Sequence, residues 1–325
     1  MSSRVRRRDA IRAAVASALL PAASLPFAAA RAAAPLKGPL RPQAYRFRLG
    51  TFELTALFDG MVAMDGPHPI FGADQSPQAV ARLCEENFLP TGRLAIGFAP
   101  ILVNTGRQLV LFDAGNPASR REAGAGFLVD ALSVAGYRPE EIDLVALTHY
   151  HPDHIGGLVT DGQPTFPNAV YASSAVEHAF WSAEERLSGP SEATARLVRT
   201  NVLPLADRLR LLQDGEELVP GIRALATPGH TPGHMAFHVE SEGHRLLIWG
   251  DVANHFVLSV ERPEWHVRFD RDKVQAAATR KRVFDMVATD RIPVAGYHMP
   301  FPNLGYVERR GGDYRWVRAS YQFDV

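Results

Sequence analysis

The stretch LTHYHPDHIGG, residues 147–157, packs three of the chain's twelve histidines and one aspartate into six residues. It follows EIDLVA, a short apolar run that reads as a buried strand. The cluster therefore lies just past a strand's C-terminal end, where open sheets with parallel strands place their sites. Imidazole nitrogen and carboxylate oxygen suit zinc and neighbouring divalent metals. In a tight turn, residues two apart point the same way, which lets His149 and His151 share one metal and turns Asp153 and His154 toward a second position nearby. Pro152 stiffens the turn, and Gly156-Gly157 lets the backbone pass close to its neighbours as a helix starts. A histidine-rich surface loop is the plainer alternative, but four ligand types behind a buried strand weigh against it.

A metal pair needs more ligands than one turn supplies, and three further candidates occupy the same kind of position. His230 follows the strand-like GIRALAT in the Pro/Gly-rich TPGHTPGH; Asp251 ends the apolar LLIWGD; His298 ends PVAGYH. Each alone is weak, because a strand-terminal Asp or His is often structural; with the cluster they form a set. His234 reads as ordering the turn after His230, and His255, four residues beyond Asp251, is placed to touch substrate.

Around these points the chain alternates strands and helices. RFRLGTFELTALFDGMVAM reads as one or two strands with a Gly turn, and FAPILVNTGRQLVLFDAG as a hairpin turning at Asn104-Thr105-Gly106. SSAVEHAFWSAEERL and DKVQAAATRKRVFDMVATD carry helical periods, HMAFHVESEGHRLLIWGD is a second hairpin, and the tail turns at Gly311-Gly312-Asp313. Two such halves without a linker imply two sheets packed together with helices outside. Lys+Arg and Asp+Glu stand equal at 35 each, so no field favours nucleic acid or an anionic membrane as partner. The single cysteine, Cys84, rules out an intramolecular disulfide and a cysteine-rich metal site, and reads as a buried apolar residue on the helix-like SPQAVARLCEENF. Residues 1–34 have a basic head, an alanine-rich apolar stretch and Ala-x-Ala cleavage options, the build of a bacterial export signal. The expected organisation is an exported, periplasmic or secreted chain with one domain over residues 35–325.

The set HYHPDH, GHTPGH, GD and GYH resembles the metallo-β-lactamase superfamily of hydrolases. The resemblance implies an α+β fold, a four-layer αββα sandwich, and a dinuclear centre holding two divalent ions such as Zn2+. Carried over motif by motif, it puts His149, His151 and His230 on the first metal, Asp153, His154 and His298 on the second, and Asp251 between them as bridging ligand and catalytic residue. YRFRLGTFELTALFDGMVAM, LVNTGRQLVLFDAG, VPGIRALATPGHTPGH and GYHMPFPNLG look like the exported methyl parathion hydrolase branch, whose members act on lactones, aryl esters and in some cases organophosphate triesters. That branch lines its pocket with aromatics, and Trp181 matches one of them. NPASRREAGAGF departs from it, putting a polar, arginine-bearing run where a phenylalanine is expected.

Two bound cations would lower the pKa of a shared water, and the resulting metal-bridging hydroxide would attack a carbonyl carbon or phosphorus. The expected activity is hydrolysis of lactones or aryl esters, with organophosphate triester hydrolysis as the alternative. The expected partners are a small-molecule ester, lactone or phosphotriester and, by resemblance, a second copy in a homodimer. A mononuclear iron persulfide dioxygenase is the rival from another chemical class. The intact Asp153, His154 and His298 argue against it, because such enzymes do not need the second metal position. Balanced charge disfavours a nuclease.

Overall fold

Period-two alternation sorts the apolar strands into layers. In LVLF, Val110 and Phe112 face one buried cluster while Leu111 faces a second; in MAFHVES, Met235, Phe237 and Val239 face the first cluster while Ala236 faces a third. Strands covered on both faces need a layer on each side. A computed structural model shows that arrangement; it describes Leu36 and residues 40–320, and the expected export signal lies outside the described residues.

The first half of the chain forms β1 (Ala44–Leu49), β2 (Phe52–Leu57), β3 (Gly60–Asp65), α1 (Pro77–Glu86), β4 (Arg93–Phe98), β5 (Ile101–Asn104), β6 (Leu109–Phe112), α2 (Leu128–Val134) and β7 (Leu144–Ala146). The single turn α3 (Pro152–Ile155), β8 (Val159–Thr160), β9 (Gln163–Pro164), β10 (Val170–Ser174), α4 (Ala175–Ser182), α5 (Glu192–Asn201) and β11 (Leu209–Leu212) follow. The second half forms β12 (Glu217–Val219), β13 (Ile222–Ala226), β14 (Met235–Ser241), β15 (His244–Ile248), α6 (Lys273–Thr289), β16 (Val294–Ala295), β17 (Leu304–Arg310) and β18 (Asp313–Arg318).

Each half builds one seven-stranded sheet, in the orders β1-β2-β5-β6-β7-β10-β11 and β12-β13-β14-β15-β16-β17-β18. The core lies between them, with Phe112 and Phe237 meeting at ring centroids 5.0 Å apart. Helices α2, α4 and α5 cover the outer face of the first sheet through Leu132, Trp181 and Val198. Helix α6 covers the second through Val283, Phe284 and Val287. The four-layer αββα sandwich expected from the motifs is what the chain forms.

The hairpins and their turns fall where the Gly-containing turns put them, and Cys84 is buried on α1. The N-terminal stretch differs: it makes three strands, not one or two. Asp59 ends the second of them, because its carboxylate accepts from the amides of Asn116 and Leu128 (both 2.8 Å) and pins the chain there. Past that point β3 leaves the sheet and pairs with β4 as a separate ribbon. Among the described residues no helix is long and apolar enough to cross a membrane.

Phe237 is fully buried at the contact between the sheets. Phe237→Ala is expected to cost about 3–5 kcal/mol, from lost burial plus the cavity left behind. Urea unfolding of both chains at matched metal content measures this, and a loss under about 1 kcal/mol would place the core elsewhere.

Candidate metal centre

Each ligand candidate stands just beyond the end of a strand. His149, His151, Asp153 and His154 follow β7, His230 follows β13, Asp251 follows β15 and His298 follows β16. The structure brings all seven together as two groups, His149, His151, His230 and Asp251 in one, Asp153, His154 and His298 in the other, with donor atoms in each group within 4.8 Å of one another. Asp251 links the groups. Its Oδ2 lies 3.2 Å from His230 Nε2 and 3.1 Å from His298 Nε2, and its Oδ1 lies 3.3 Å from His154 Nε2.

The glycines and buried carboxylates explain why these loops hold still. A Cβ on Gly157 would meet Ala114 O at 2.1 Å, so the turn after His154 can pack against the loop after β6 only as glycine. Asp113, at the end of β6, accepts from Thr148 N (2.8 Å), Thr148 Oγ1 (2.9 Å) and His154 Nδ1 (2.9 Å). Glu177, wholly buried on α4, accepts from Tyr150 N (2.9 Å), Trp181 Nε1 (2.8 Å) and Gly233 N (3.0 Å). One carboxylate thus ties the His149–His154 turn to the loop that carries His230. Asp270 accepts from His230 Nδ1 (2.8 Å) on one oxygen and from the buried Arg280 (2.8 Å) on the other.

The outer ring nitrogens are therefore occupied. His149 Nδ1 meets Thr148 Oγ1 (3.1 Å), His154 donates to Asp113, His230 to Asp270, and His298 Nδ1 to the carbonyl of Gly97 (2.8 Å). The inner nitrogens converge: His230 Nε2 lies 2.9 Å from His151 Nδ1 and 3.2 Å from His149 Nε2. His154 Nε2 and Asp251 Oδ1 are buried and make no hydrogen bond. Converging nitrogen and oxygen donors, two of them buried without a hydrogen-bond partner, fit divalent cations of the zinc type.

Charge follows the same logic. Burial, reinforced by the neighbouring imidazoles, holds His149 and His151 well below their ordinary values, which keeps them neutral and able to ligate. Burial opposes the charge of Asp251, yet His298 and His154 hold its carboxyl well below the usual range. His234 is excluded from the set, as its place in the turn implies: Nδ1 donates to Thr227 Oγ1 (2.8 Å) and Nε2 accepts the Asp251 amide (2.9 Å).

A cavity of about 300 Å³ opens beside the cluster, lined by Met64, Ile96, Phe98, Arg120 and Phe269 together with His151, Asp153, Asp251, Asn254 and His298. The two residues expected to line the pocket lie elsewhere. Trp181 is buried behind His151, with ring centroids 6.2 Å apart, and its indole N–H is spent on Glu177. His255 lies in a neighbouring apolar cavity with Cys84 and Leu258, its Nδ1 accepting the amides of Val257 and Leu258 (both 3.1 Å). Asp113 ends an apolar strand, a signal of the same kind as Asp251. Glu177, Asp270 and Arg120 carry no such signal.

The model of the Metallo-beta-lactamase superfamily matches residues 100–293. Among curated proteins, Ribonuclease TTHA0252 of Thermus thermophilus is 32% identical over 174 residues, half of this chain and 36% of its own length. An N-acyl homoserine lactonase of a Bacillus species is 30% identical over 115 residues, 35% of this chain and 40% of its own. The chain thus spans about two fifths of these relatives. Among solved structures, the dizinc quorum-quenching lactonase AidC, in complex with a product, superposes with a TM-score of 0.79 at 26% identity, over 86% of this chain and 99% of that one. The hydrolase AbOPH does so with a TM-score of 0.80 at 28% identity, over 87% and 99%.

Burial lowers His255 to about 3 from the 6.5 of a free side chain. Between those values the unfolded chain binds the proton that the folded chain refuses. Its stability contribution is therefore complete above 6.5 and is lost as pH falls toward 3, by up to about 1.4 kcal/mol per pH unit. His255→Asn keeps an acceptor for the same two amides and has no proton to bind. Urea midpoints from pH 7 to pH 5 are expected to fall less steeply in the variant. Parallel curves would show that His255 is protonated in the folded protein.

Proposed function

This chain belongs to the metallo-beta-lactamase superfamily, and on that footing we propose that it is a dinuclear-metal hydrolase of lactones or aryl esters. The observation that carries the reading is the pair of ligand groups joined through Asp251, beside a cavity with apolar walls. His149, His151 and His230 would hold one cation, Asp153, His154 and His298 the other, and Asp251 would touch both. Two divalent ions held there would acidify a shared water near neutral pH and act as Lewis acids on the substrate's carbonyl oxygen.

The chain's own groups set the geometry. Thr148, Asp113, Asp270 and Gly97 orient four imidazoles through their outer nitrogens. Asn254 Nδ2 donates to Asp251 Oδ2 (2.8 Å), fixing the carboxylate that joins the two groups. Met64, Ile96, Phe98 and Phe269 give an acyl or aryl group a dry surface, within the size range of small-molecule sites. Likeness in fold and sequence to a dizinc lactonase supports both the metal and the substrate class. Export under the direction of residues 1–34, a mature domain from residue 35 and pairing as a homodimer belong to the same proposal.

The signal-free protein is expected to bind two equivalents of zinc, to hydrolyse a lactone and an aryl ester faster than a phosphotriester, and to lose activity on chelation. His151→Ala should lose at least one equivalent of metal and more than a hundredfold in rate. A phosphotriester rate far above every carboxyl ester would reverse the order of substrates. One iron per chain with oxygen uptake would replace the hydrolase reading by an oxygenase.

A further inference from the structure

Arg120 stands on the wall of the cavity beside the metal-ligand cluster, within the short 3-10 helix Ala118–Ala123. Its guanidinium offers five donors. One is used, by Nη1 donating to Asn116 Oδ1 at 2.8 Å, and no carboxylate among the described residues pairs with it. The next residue is a built-in contrast: Arg121 pairs with Asp130 and donates to the carbonyl of Gly126 (3.2 Å). Arg120 is half-buried on the wall of a half-open, mostly apolar cavity, so an anion that enters meets a cation with no carboxylate partner.

The residue is also held in place. Asn116 is buried, and Asp59 Oδ2 accepts both its backbone amide (2.8 Å) and its side-chain Nδ2 (2.7 Å), which leaves Asn116 Oδ1 aimed at Arg120. A buried carboxylate thus orients an amide, and the amide orients the guanidinium. On the other side, Arg120 Cζ lies 5.8 Å from the centre of the Phe98 ring, and that ring packs edge-on against His298 at 5.6 Å. One aromatic ring separates the cation from a metal-ligand candidate. Because Asp153 and Asp251 are the carboxylates in the cavity wall, two divalent cations would keep excess positive charge there, and Arg120 adds to it.

We propose that Arg120 is a specificity-determining residue that selects substrates whose acyl group carries a carboxylate on an apolar stem. The inference rests on the hydrolase reading above and narrows its substrate class. The stem lies against Phe98 and Ile96, the free carboxylate takes the unused N–H groups of Arg120, and the scissile carbonyl faces the ligand cluster. A neutral ester or phosphotriester gains nothing from this cation. The side chain acts on binding, so its effect falls on KM more than on kcat.

The test uses the zinc-loaded protein and two substrates, the mono-4-nitrophenyl ester of an eight-carbon dicarboxylic acid and the same molecule with its free acid capped as a methyl ester. The native chain is expected to prefer the acid by about tenfold or more in kcat/KM, the scale of a charge-assisted hydrogen bond. Arg120→Met should bring that ratio close to one through KM, and Arg120→Lys should restore part of it. Calorimetry supplies a readout independent of turnover: the native protein should bind the eight-carbon dicarboxylate more tightly than octanoate, and Arg120→Met should bind the two alike. No preference in the native chain, or equal losses on both substrates in Arg120→Met, would overturn the proposal and leave Arg120 as a structural partner of Asn116. If neither ester is hydrolysed, the hydrolase reading falls while the calorimetry still decides the role of Arg120.

Discussion

Five imidazoles and two carboxylates turned inward on one another are the constraint on which this structure depends. Burial keeps His149 and His151 neutral, and the buried carboxylate of Asp251 is stable only where positive charge is supplied. The polypeptide nonetheless holds this arrangement, because the outer nitrogen of four of the rings is already committed to an acceptor. The ligand candidates come from both sheets: four from the turn after β7 in the first, three from the loops after β13, β15 and β16 in the second. A cation bound there would join the two halves of the sandwich, and its binding free energy would count toward holding the sheets together.

Three buried carboxylates carry the cost of keeping the ligand loops in place. Asp113 sits at a φ of 64°, a region that non-glycine residues rarely adopt, and three hydrogen bonds from Thr148 and His154 hold it there. Strain of this kind collects at functional sites and persists only where the surroundings over-determine it. Burial pushes Glu177 above the usual carboxylate value, in spite of the donors that reach it from the turn after β7 and the loop after β13. Asp270 works against its own burial with His230 on one oxygen and Arg280 on the other.

Much of this is legible in the sequence. Two linker-free halves of strands and helices implied packed sheets, the family resemblance implied the αββα sandwich, and His and Asp placed after apolar runs marked the seven positions that cluster in the structure. What was not legible lacks such a coincidence. Glu177 lies in the first turn of α4, where a solvated charge is ordinary; only the approach of the loop containing Gly233, where a Cβ would meet the Glu177 amide at 2.0 Å, makes it a tie between loops. His255 illustrates the reverse error. Four residues of spacing from Asp251 suggested reach toward substrate, but its ring is occupied by two backbone amides in a different cavity. Trp181 stands one layer behind His151, because its indole N–H is drawn to the buried Glu177. Sequence distance sets neither direction nor layer.

The ligand candidates form one side of the cavity and other parts of the fold form the rest of its wall, a division that bears on how such a site diversifies. The ligand candidates lie on loops and the turn α3 that follow strands of the two sheets. The walls are built otherwise: Met64 from β3, Ile96 and Phe98 from β4, and Arg120 from a short 3-10 helix. The β3–β4 ribbon belongs to neither seven-stranded sheet. Substitution on the ribbon or in the 3-10 helix changes what the cavity accepts without moving a strand that carries a ligand. The exception is Phe98, whose ring touches His298, and Gly97, whose carbonyl fixes that histidine's outer nitrogen. A change at either residue would alter the wall and the setting of His298 together, whereas Arg120 stands one ring further from the candidate centre.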